Sequence, residues 1–185
     1  MNTNKQRSKM SVYIATSIDG YIAKKDDGLD WLETFSPPSD NLNEDYGFKK
    51  FLNQVDALVM GKNTYKIASR AIVWPYQGKR VIVLTSTLSS VCDKAEIYSG
   101  DIDHLINKLH SDGIKHIYVD GGKTISQFLN KGLIDELIIS IIPIILGSGI
   151  PLFNNILHES WCHLASSHAY SNGLIQLRYE VTNNG

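Results

Sequence analysis

Apolar residues recur along this chain in two rhythms, and the switch between them outlines the elements. β-Branched and apolar runs predict strands at "SVYIATSI" (11–18), "DALVMG" (56–61), "RVIVLTS" (80–86) and "KHIYVDG" (115–121). A weak strand is expected at "AEIYS" (95–99) and a long one at "DELIISIIPII" (135–145). Between them the spacing changes to three and four. Residues 43–55 read as a helix, with Phe48, Phe51, Leu52 and Val55 on one face, Asn43 as the cap and acids in the first turn. "KNTYKIAS" (62–69) and "KTISQFLNKG" (123–132) read as shorter helices. Residues 101–113 form a helix with Ile102, Leu105, Ile106 and Leu109 on one side and Gly113 as its stop. "DGYIAKKDDG" (19–28) has turn residues at both ends and reads as a loop. Two strands, 162–171 and 174–182, close the chain around the hairpin signal "SNG".

Strand and helix alternate through the first two thirds, and the last third is strand-rich. The expectation is an α/β fold of three layers: a mainly parallel central sheet, an antiparallel C-terminal hairpin at one edge, and helices on both faces. The 185 residues suit one domain, residues 11–182, after a flexible tail over 1–10; the closing "TNNG" is expected to fray. Hydrophobic residues are 43% and charged residues 20%, enough for a full core.

A formal net charge of −1 gives no field to draw in nucleic acid or an anionic membrane, so a small molecule or a protein partner is expected. Cys92 and Cys162 are too few for a disulfide scaffold or a zinc site and read as reduced, partly buried thiols. The six histidines show no ligand spacing, so no metal is expected. The polar start "MNTNKQRSKM" lacks the apolar core of a signal peptide, and no apolar run is long enough to span a bilayer. Cytoplasm is the expected location. The strand "IISIIPIIL" is more apolar than a solvated edge would allow, which fits either a homodimer contact or burial in the monomer core.

In open α/β sheets, ligands lie at the carboxyl ends of the strands. Here those ends read "ATSIDG", "MGKNTY", "LTS" and "VDGGKT". Two run straight into helices. Gly61 with Lys62 and Thr64, and Gly121–Gly122 with Lys123 and Thr124, each combine close backbone approach, a cation and a hydroxyl at a helix start. Singly, each also suits a tight turn with a threonine cap; as a pair they suit a molecule with separated phosphates, such as a dinucleotide. No Walker loop is present, and "GSGIPL" (147–152) lacks the third glycine and the following helix of a Rossmann fingerprint.

These motifs, in this order over residues 11–181, resemble the dihydrofolate reductase superfamily: "IATSIDGYIA", Trp31 in "GLDWL", "VMGKNTY", "GKRVIVLTS" and "VDGGKTISQFL". "PIILGSGIPLF" (143–153) is similar to the C-terminal reductase domain of the bifunctional riboflavin-biosynthesis deaminase–reductase and its stand-alone homologues. No zinc-deaminase motif accompanies it. The resemblance implies NADPH. Ala15, Asp19 and Ile22 would line the nicotinamide. Lys62, Asn63 and Thr64, preceded by Gly61, would hold the pyrophosphate and the 2′-phosphate, with Thr85 and Ser86 near the latter. Gly121, Gly122, Lys123, Thr124 and Ile125 would pass under the pyrophosphate and nicotinamide, with a cis peptide between the paired glycines.

For the proton that accompanies a hydride, the resemblance implies Asp45, sixteen residues before Gly61, supported by Ser140. Glu44 could exchange roles with it, and an acid in a helix's first turn is also favoured by the dipole alone. Trp31, Tyr46, Phe48, Phe51 and Tyr65 suit either an aromatic substrate pocket or a core face. The function implied is NADPH-dependent reduction of a small heterocycle, resembling 5-amino-6-(5-phosphoribosylamino)uracil reductase. The D-P-x-L-T-x-R stretch of that enzyme is replaced by "IASRAIVWPYQGKR". A dihydrofolate reductase and a non-catalytic NADPH-binding module are the alternatives.

Overall fold

The computed structural model describes residues 7–182. One eight-stranded sheet runs through them. In chain order its strands are β1 (Lys9–Ser17), β3 (Ala57–Gly61), β4 (Arg80–Leu84), β5 (Glu96–Tyr98), β6 (His116–Asp120), β7 (Glu136–Ile142), β9 (Trp161–Ala169) and β10 (Ile175–Thr182). They lie in the order β5-β4-β3-β6-β1-β7-β10-β9. The first six are parallel, and β10 pairs antiparallel with both β7 and β9. β2 (Tyr21–Ala23) and β8 (Ile150–Pro151) form a separate two-stranded ribbon.

The helices follow from the apolar faces that the strands must bury. Along β3, Ala57 and Val59 face one core while Leu58 and Met60 face the other. The first core is covered by α4 (Ile102–Ser111) and α5 (Gly122–Asn130), through Leu105, Ile106, Leu109, Ile125 and Phe128. The second is covered by α2 (Phe48–Gln54) and α3 (Lys62–Ala68), through Phe51, Tyr65 and Ala68. A third, small cluster joins Trp31 of α1 (Asp30–Glu33) to Ile142 and Leu174. Asp101 caps α4 by accepting from Asp103 N and His104 N, and Gly113 leaves it at φ +86°. The predicted C-terminal hairpin forms, with Gly173 at φ +89° in its turn.

Several expectations are corrected. The helix predicted over 43–55 begins only at Phe48: Gly47 adopts φ +86° and Tyr46 φ +56°, which no helix admits. The strand predicted over 135–145 ends at Ile142 and lies inside the sheet, between β1 and β10, so its apolar character reflects burial rather than an edge. Lys9 and Met10, expected in the tail, begin β1, and Met10 is fully buried; residues 1–6 and 183–185 lie outside the described residues. The loop 19–28 contains β2. Cys92 and Cys162 are free as expected but exposed. All peptide bonds of the described residues are trans, including Gly121–Gly122, where Gly121 instead takes φ +91°.

Candidate functional site

The two glycine–threonine turns come together because their strands are neighbours: β3 ends at Gly61 and β6 runs beside it to Asp120. They interlock reciprocally. A Cβ on Gly121 would stand 2.3 Å from Thr64 Oγ1, and one on Gly61 would stand 3.1 Å from Thr124 Oγ1. Gly122 is closed from the other side, where a Cβ would meet Pro151 O at 2.7 Å. So the paired glycines first admit the chain's own elements: the start of α3 on one side and β8 on the other.

Around these turns, at the carboxyl ends of the parallel strands, lies a cleft of about 870 Å³. That is near the upper end of the roughly 300–1,000 Å³ usual for small-molecule sites. Of the residues singled out from the sequence, Ala15, Ile22, Gly61, Lys62, Asn63, Thr64, Thr85, Ser86, Gly121, Gly122, Lys123 and Thr124 line it. Lys62 Nζ donates to Thr87 Oγ1 at 3.0 Å, which holds the ammonium over the hydroxyl-rich turn after β4. Thr87 also lines the cleft and was not anticipated; a hydroxyl two residues beyond Thr85 was the available signal.

On the α2–α3 side of the sheet, the cleft wall is built from Tyr13, Leu32, Ala68, Pro75, Tyr76, Tyr118 and Asp120. Asp120 ends β6, and its Oδ1 accepts from Gly121 N at 2.8 Å. Burial pushes its carboxyl up to about 6; the Gly121 N–H and the hydroxyls of Tyr118 and Tyr76 oppose that rise only in part. Tyr118 already donates to Tyr13 O at 2.8 Å, which leaves Tyr76 as the free phenol beside the acid. Burial and the neighbouring carboxylate raise the Tyr76 phenol far above its ordinary range, so it stays a donor. Neither Asp120 nor Tyr76 was singled out from the sequence. Asp120 stood in the quoted "VDGGKT", but nothing there distinguishes a burial-shifted acid from a turn residue. Among the described residues, the basic side chains lining the cleft are Lys62 and Lys123.

The remaining predicted site residues lie outside the cleft lining. Asp45 sits before α2, where Oδ1 accepts from Gly47 N at 3.0 Å and Oδ2 from Lys49 N at 3.1 Å, so its carboxylate caps that helix. Glu44 makes a similar local bond to Tyr46 N at 2.6 Å. Asp19 accepts from Ser17 Oγ at 2.7 Å, Leu146 N at 3.1 Å and Gly147 N at 2.7 Å. The Ser17 hydroxyl, with those two backbone donors, holds its carboxyl below the usual range. Asp19 thereby ties the "LGSG" loop to the end of β1. Trp31 is buried with Ile142 and Leu174, and its indole N–H has no protein partner. Phe48 packs on Tyr13, and Tyr65 accepts from Cys92 N at 2.8 Å within the second core. Ile125 is fully buried in the first core. Ser140 is buried and accepts from Gln176 Nε2 at 3.1 Å, without reaching Asp45.

Comparison with known proteins agrees with this architecture. The model of the RibD C-terminal domain matches residues 9–176. The uncharacterized protein YwjB of Bacillus subtilis (strain 168) is 33% identical over 174 residues, which are 92% of this chain and 97% of that protein. The riboflavin biosynthesis protein RibD of Corynebacterium ammoniagenes is 27% identical over 78% of this chain and 46% of its own length. The crystal structure of the "Putative riboflavin biosynthesis protein" from Shewanella sp. PV-4 superposes with a TM-score of 0.87 at 38% identity, covering 95% of this chain and 99% of that one. A Thermotoga maritima deaminase/reductase shares the fold, with a TM-score of 0.72 at 14% identity over 96% of this chain and 58% of that one. A mainly parallel sheet with an antiparallel C-terminal hairpin, a cleft at the strand ends, and a match across nearly the whole described length lead to one conclusion: the chain belongs to the RibD C-terminal domain family, with its dihydrofolate reductase-like fold.

Proposed function

We propose that the protein is an NADPH-dependent reductase of a small heterocyclic substrate, of the riboflavin-biosynthesis type. The observation that carries this reading is the cleft itself. One lysine and at least one hydroxyl stand on each of two adjacent strand–helix turns, with Thr85, Ser86 and Thr87 on the next strand's end. That donor set suits a dinucleotide that bears a third phosphate, because an extra phosphate is best met by a cation and hydroxyl donors. Lys62, Thr85, Ser86 and Thr87 would hold the 2′-phosphate. Gly61–Thr64 and Gly121–Thr124 would hold the pyrophosphate. NADPH bound there supplies the hydride.

The chain's own chemistry is the proton. Asp120 stands where the paired-glycine turn meets the aromatic wall, and a carboxyl with a pKa of about 6 changes protonation near neutrality. Tyr76, whose phenol stays protonated, is a donor to the same carboxyl. The family resemblance placed this role on Asp45; its cap geometry outside the cleft favours Asp120 instead.

The cations favour a second point. Both cleft lysines stand on the cofactor-side turns, and the aromatic wall carries none, so a substrate without its own phosphate fits it better than a sugar phosphate. The test is NADPH oxidation with three substrates: 5-amino-6-(5-phosphoribosylamino)uracil, the same compound dephosphorylated, and dihydrofolate. Turnover of the first two, faster for the dephosphorylated form, is expected. Faster turnover of the phosphorylated compound would overturn the substrate preference, and turnover of dihydrofolate alone would replace the reading with the other reductase. If NADPH binds and no heterocycle is reduced, the non-catalytic module stands.

A further inference from the structure

A second, smaller hollow of about 190 Å³ lies on the α2 side of the sheet, and Tyr13 is the wall that it shares with the cleft. Its floor is one face of the C-terminal hairpin. Side chains two apart on a strand share a face, so Gln176 and Arg178 of β10 project the same way. Their cross-strand partners, His168 and Ser166 of β9, stand beside them. α2 closes the other side with Lys50 and Gln54, one turn apart, and with Phe51.

Most polar groups around this hollow are engaged within the chain. Glu136 Oε1 accepts from Arg178 Nη2 and, at 2.6 Å, from Arg178 Nε; its Oε2 accepts from Ser11 Oγ at 2.8 Å and meets Lys9 Nζ at 2.9 Å. Glu44 and Asp45 act electrostatically on Tyr13, but their carboxylates are taken by the N–H groups of Tyr46, Gly47 and Lys49. Four groups are left over. Among the described residues, the Lys50 ammonium, Arg178 Nη1, the Ser166 hydroxyl and the nitrogens of the exposed His168 ring have no hydrogen-bond partner in the chain. Lys9 alone balances Glu136, so Arg178 and Lys50 are in excess. One acceptor faces the same way out. Gln176 Nε2 is ringed by Tyr46 O and Tyr13 Oη at 3.0 Å each and Ser140 Oγ at 3.1 Å. A carbonyl can only accept, so Tyr46 O fixes the orientation of the amide and leaves Gln176 Oε1 without a protein donor.

We propose that this hollow binds inorganic phosphate. The inference is independent of the reductase reading. Two cations with hydroxyl and ring donors suit an oxyanion. The size suits a small one: a tetrahedral anion fits together with a few waters, at about 30 Å³ each, and the hollow falls short of the roughly 300 Å³ at which drug-sized sites begin. The free acceptor then selects among oxyanions. Inorganic phosphate keeps a proton at neutral pH, which Gln176 Oε1 can accept. Sulfate carries none, and a phosphate monoester has lost most of its own, because its second pKa is about 6. Either would set lone pair against lone pair at the amide oxygen and leave it unpaired.

The test is calorimetric titration of the full chain with inorganic phosphate at neutral pH, with no nucleotide present. Saturable binding is expected. Lys50→Gln should weaken it roughly tenfold to a hundredfold, as the loss of one charge-assisted contact does, and Ser166→Ala roughly fivefold. Lys50 and Ser166 are both exposed, so the variants should keep the wild-type circular dichroism. Lys62→Ala, in the cleft, should retain the binding. Sulfate and ribose 5-phosphate should each bind roughly tenfold more weakly than phosphate. On the unaltered protein, the ring signals of His168 in a proton NMR spectrum should move with the same saturation curve. Absence of saturable phosphate binding would overturn the proposal. Binding lost in Lys62→Ala and kept in Lys50→Gln would do so too, because the anion would then sit in the cleft. Sulfate bound as tightly as phosphate would also overturn it, since the amide oxygen would be reading nothing.

Discussion

Two side chains carry most of the chemistry assigned here, and each makes its own prediction. Lys62 is held over Thr87 and is one of two cleft cations. One charge-assisted contact is worth about 1.5–3 kcal/mol, so Lys62→Ala should weaken NADPH roughly tenfold to a hundredfold and leave NADH nearly unchanged. Equal weakening of both, measured by calorimetry, would remove the 2′-phosphate from that lysine. Asp120 gives a paired prediction. Its folded-state pKa of about 6 exceeds the roughly 3.9 of an unfolded chain, so the folded protein binds the extra proton between those values. The carboxylate therefore costs stability above about pH 6. Asp120→Asn should raise stability at neutral pH by on the order of 1–3 kcal/mol and lower kcat by roughly a hundredfold or more. The wild-type rate profile should carry a limb near pH 6 that the variant lacks. A variant that keeps both the limb and the rate would move the proton elsewhere.

At the scale of the elements, the interlocked turns are the feature that the rest depends on. Gly121 takes φ +91° and faces Thr64 Oγ1 where a Cβ would be. Gly121→Ala should cost roughly 1–3 kcal/mol in urea denaturation, through backbone strain together with that clash. Adding Thr64→Ala should return part of the loss, since it removes the clash and leaves the strain. No recovery would mean that the two turns do not press on each other. This level was largely legible in the sequence, because Gly61, Thr64, Gly121 and Thr124 sit at strand-to-helix switches that periodicity alone reveals. The start of α2 was not. Acids, an asparagine and a following apolar stripe imitate a helix N-terminus, and only the positive φ of Tyr46 and Gly47 shows that the chain turns there first. Asp45, which the resemblance implied for the proton, stands in this same stretch, before α2 rather than inside a first turn. Asp120 could not be read at all, because its elevated pKa arises from burial, which only the folded wall creates, with Tyr76 brought in from forty-four residues away.

Taken whole, the molecule separates a cleft-bearing top from a clamped foot. At the amino ends of the strands, Ser11 Oγ bridges His116 Nε2 and Glu136 Oε2, both at 2.8 Å, and Glu136 also meets Lys9 at 2.9 Å and Arg178 Nε at 2.6 Å. Burial alone would raise the Glu136 carboxyl, but Lys9, Ser11 and Arg178 outweigh it and hold it below its ordinary range. Its stabilising contribution is therefore present above about pH 4.3 and is lost as the pH falls through its folded-state value. Burial, aided by Lys9, lowers His116, which withdraws stability below about pH 6.5, while Asp120 acts in the opposite sense between about pH 6 and 4. The clear signal thus lies below pH 4, where the melting temperature should drop and where Glu136→Gln should flatten the drop. An unchanged slope in that variant would assign the acid sensitivity to other carboxylates. The central claim concerns the top, and the most direct measurement of it is a fluorescence titration of the purified chain with NADPH and, separately, with NADH. The account predicts tight NADPH binding, NADH weaker by roughly tenfold or more, and the difference abolished in Lys62→Ala. Failure of both nucleotides to bind would contradict the dinucleotide reading of the cleft.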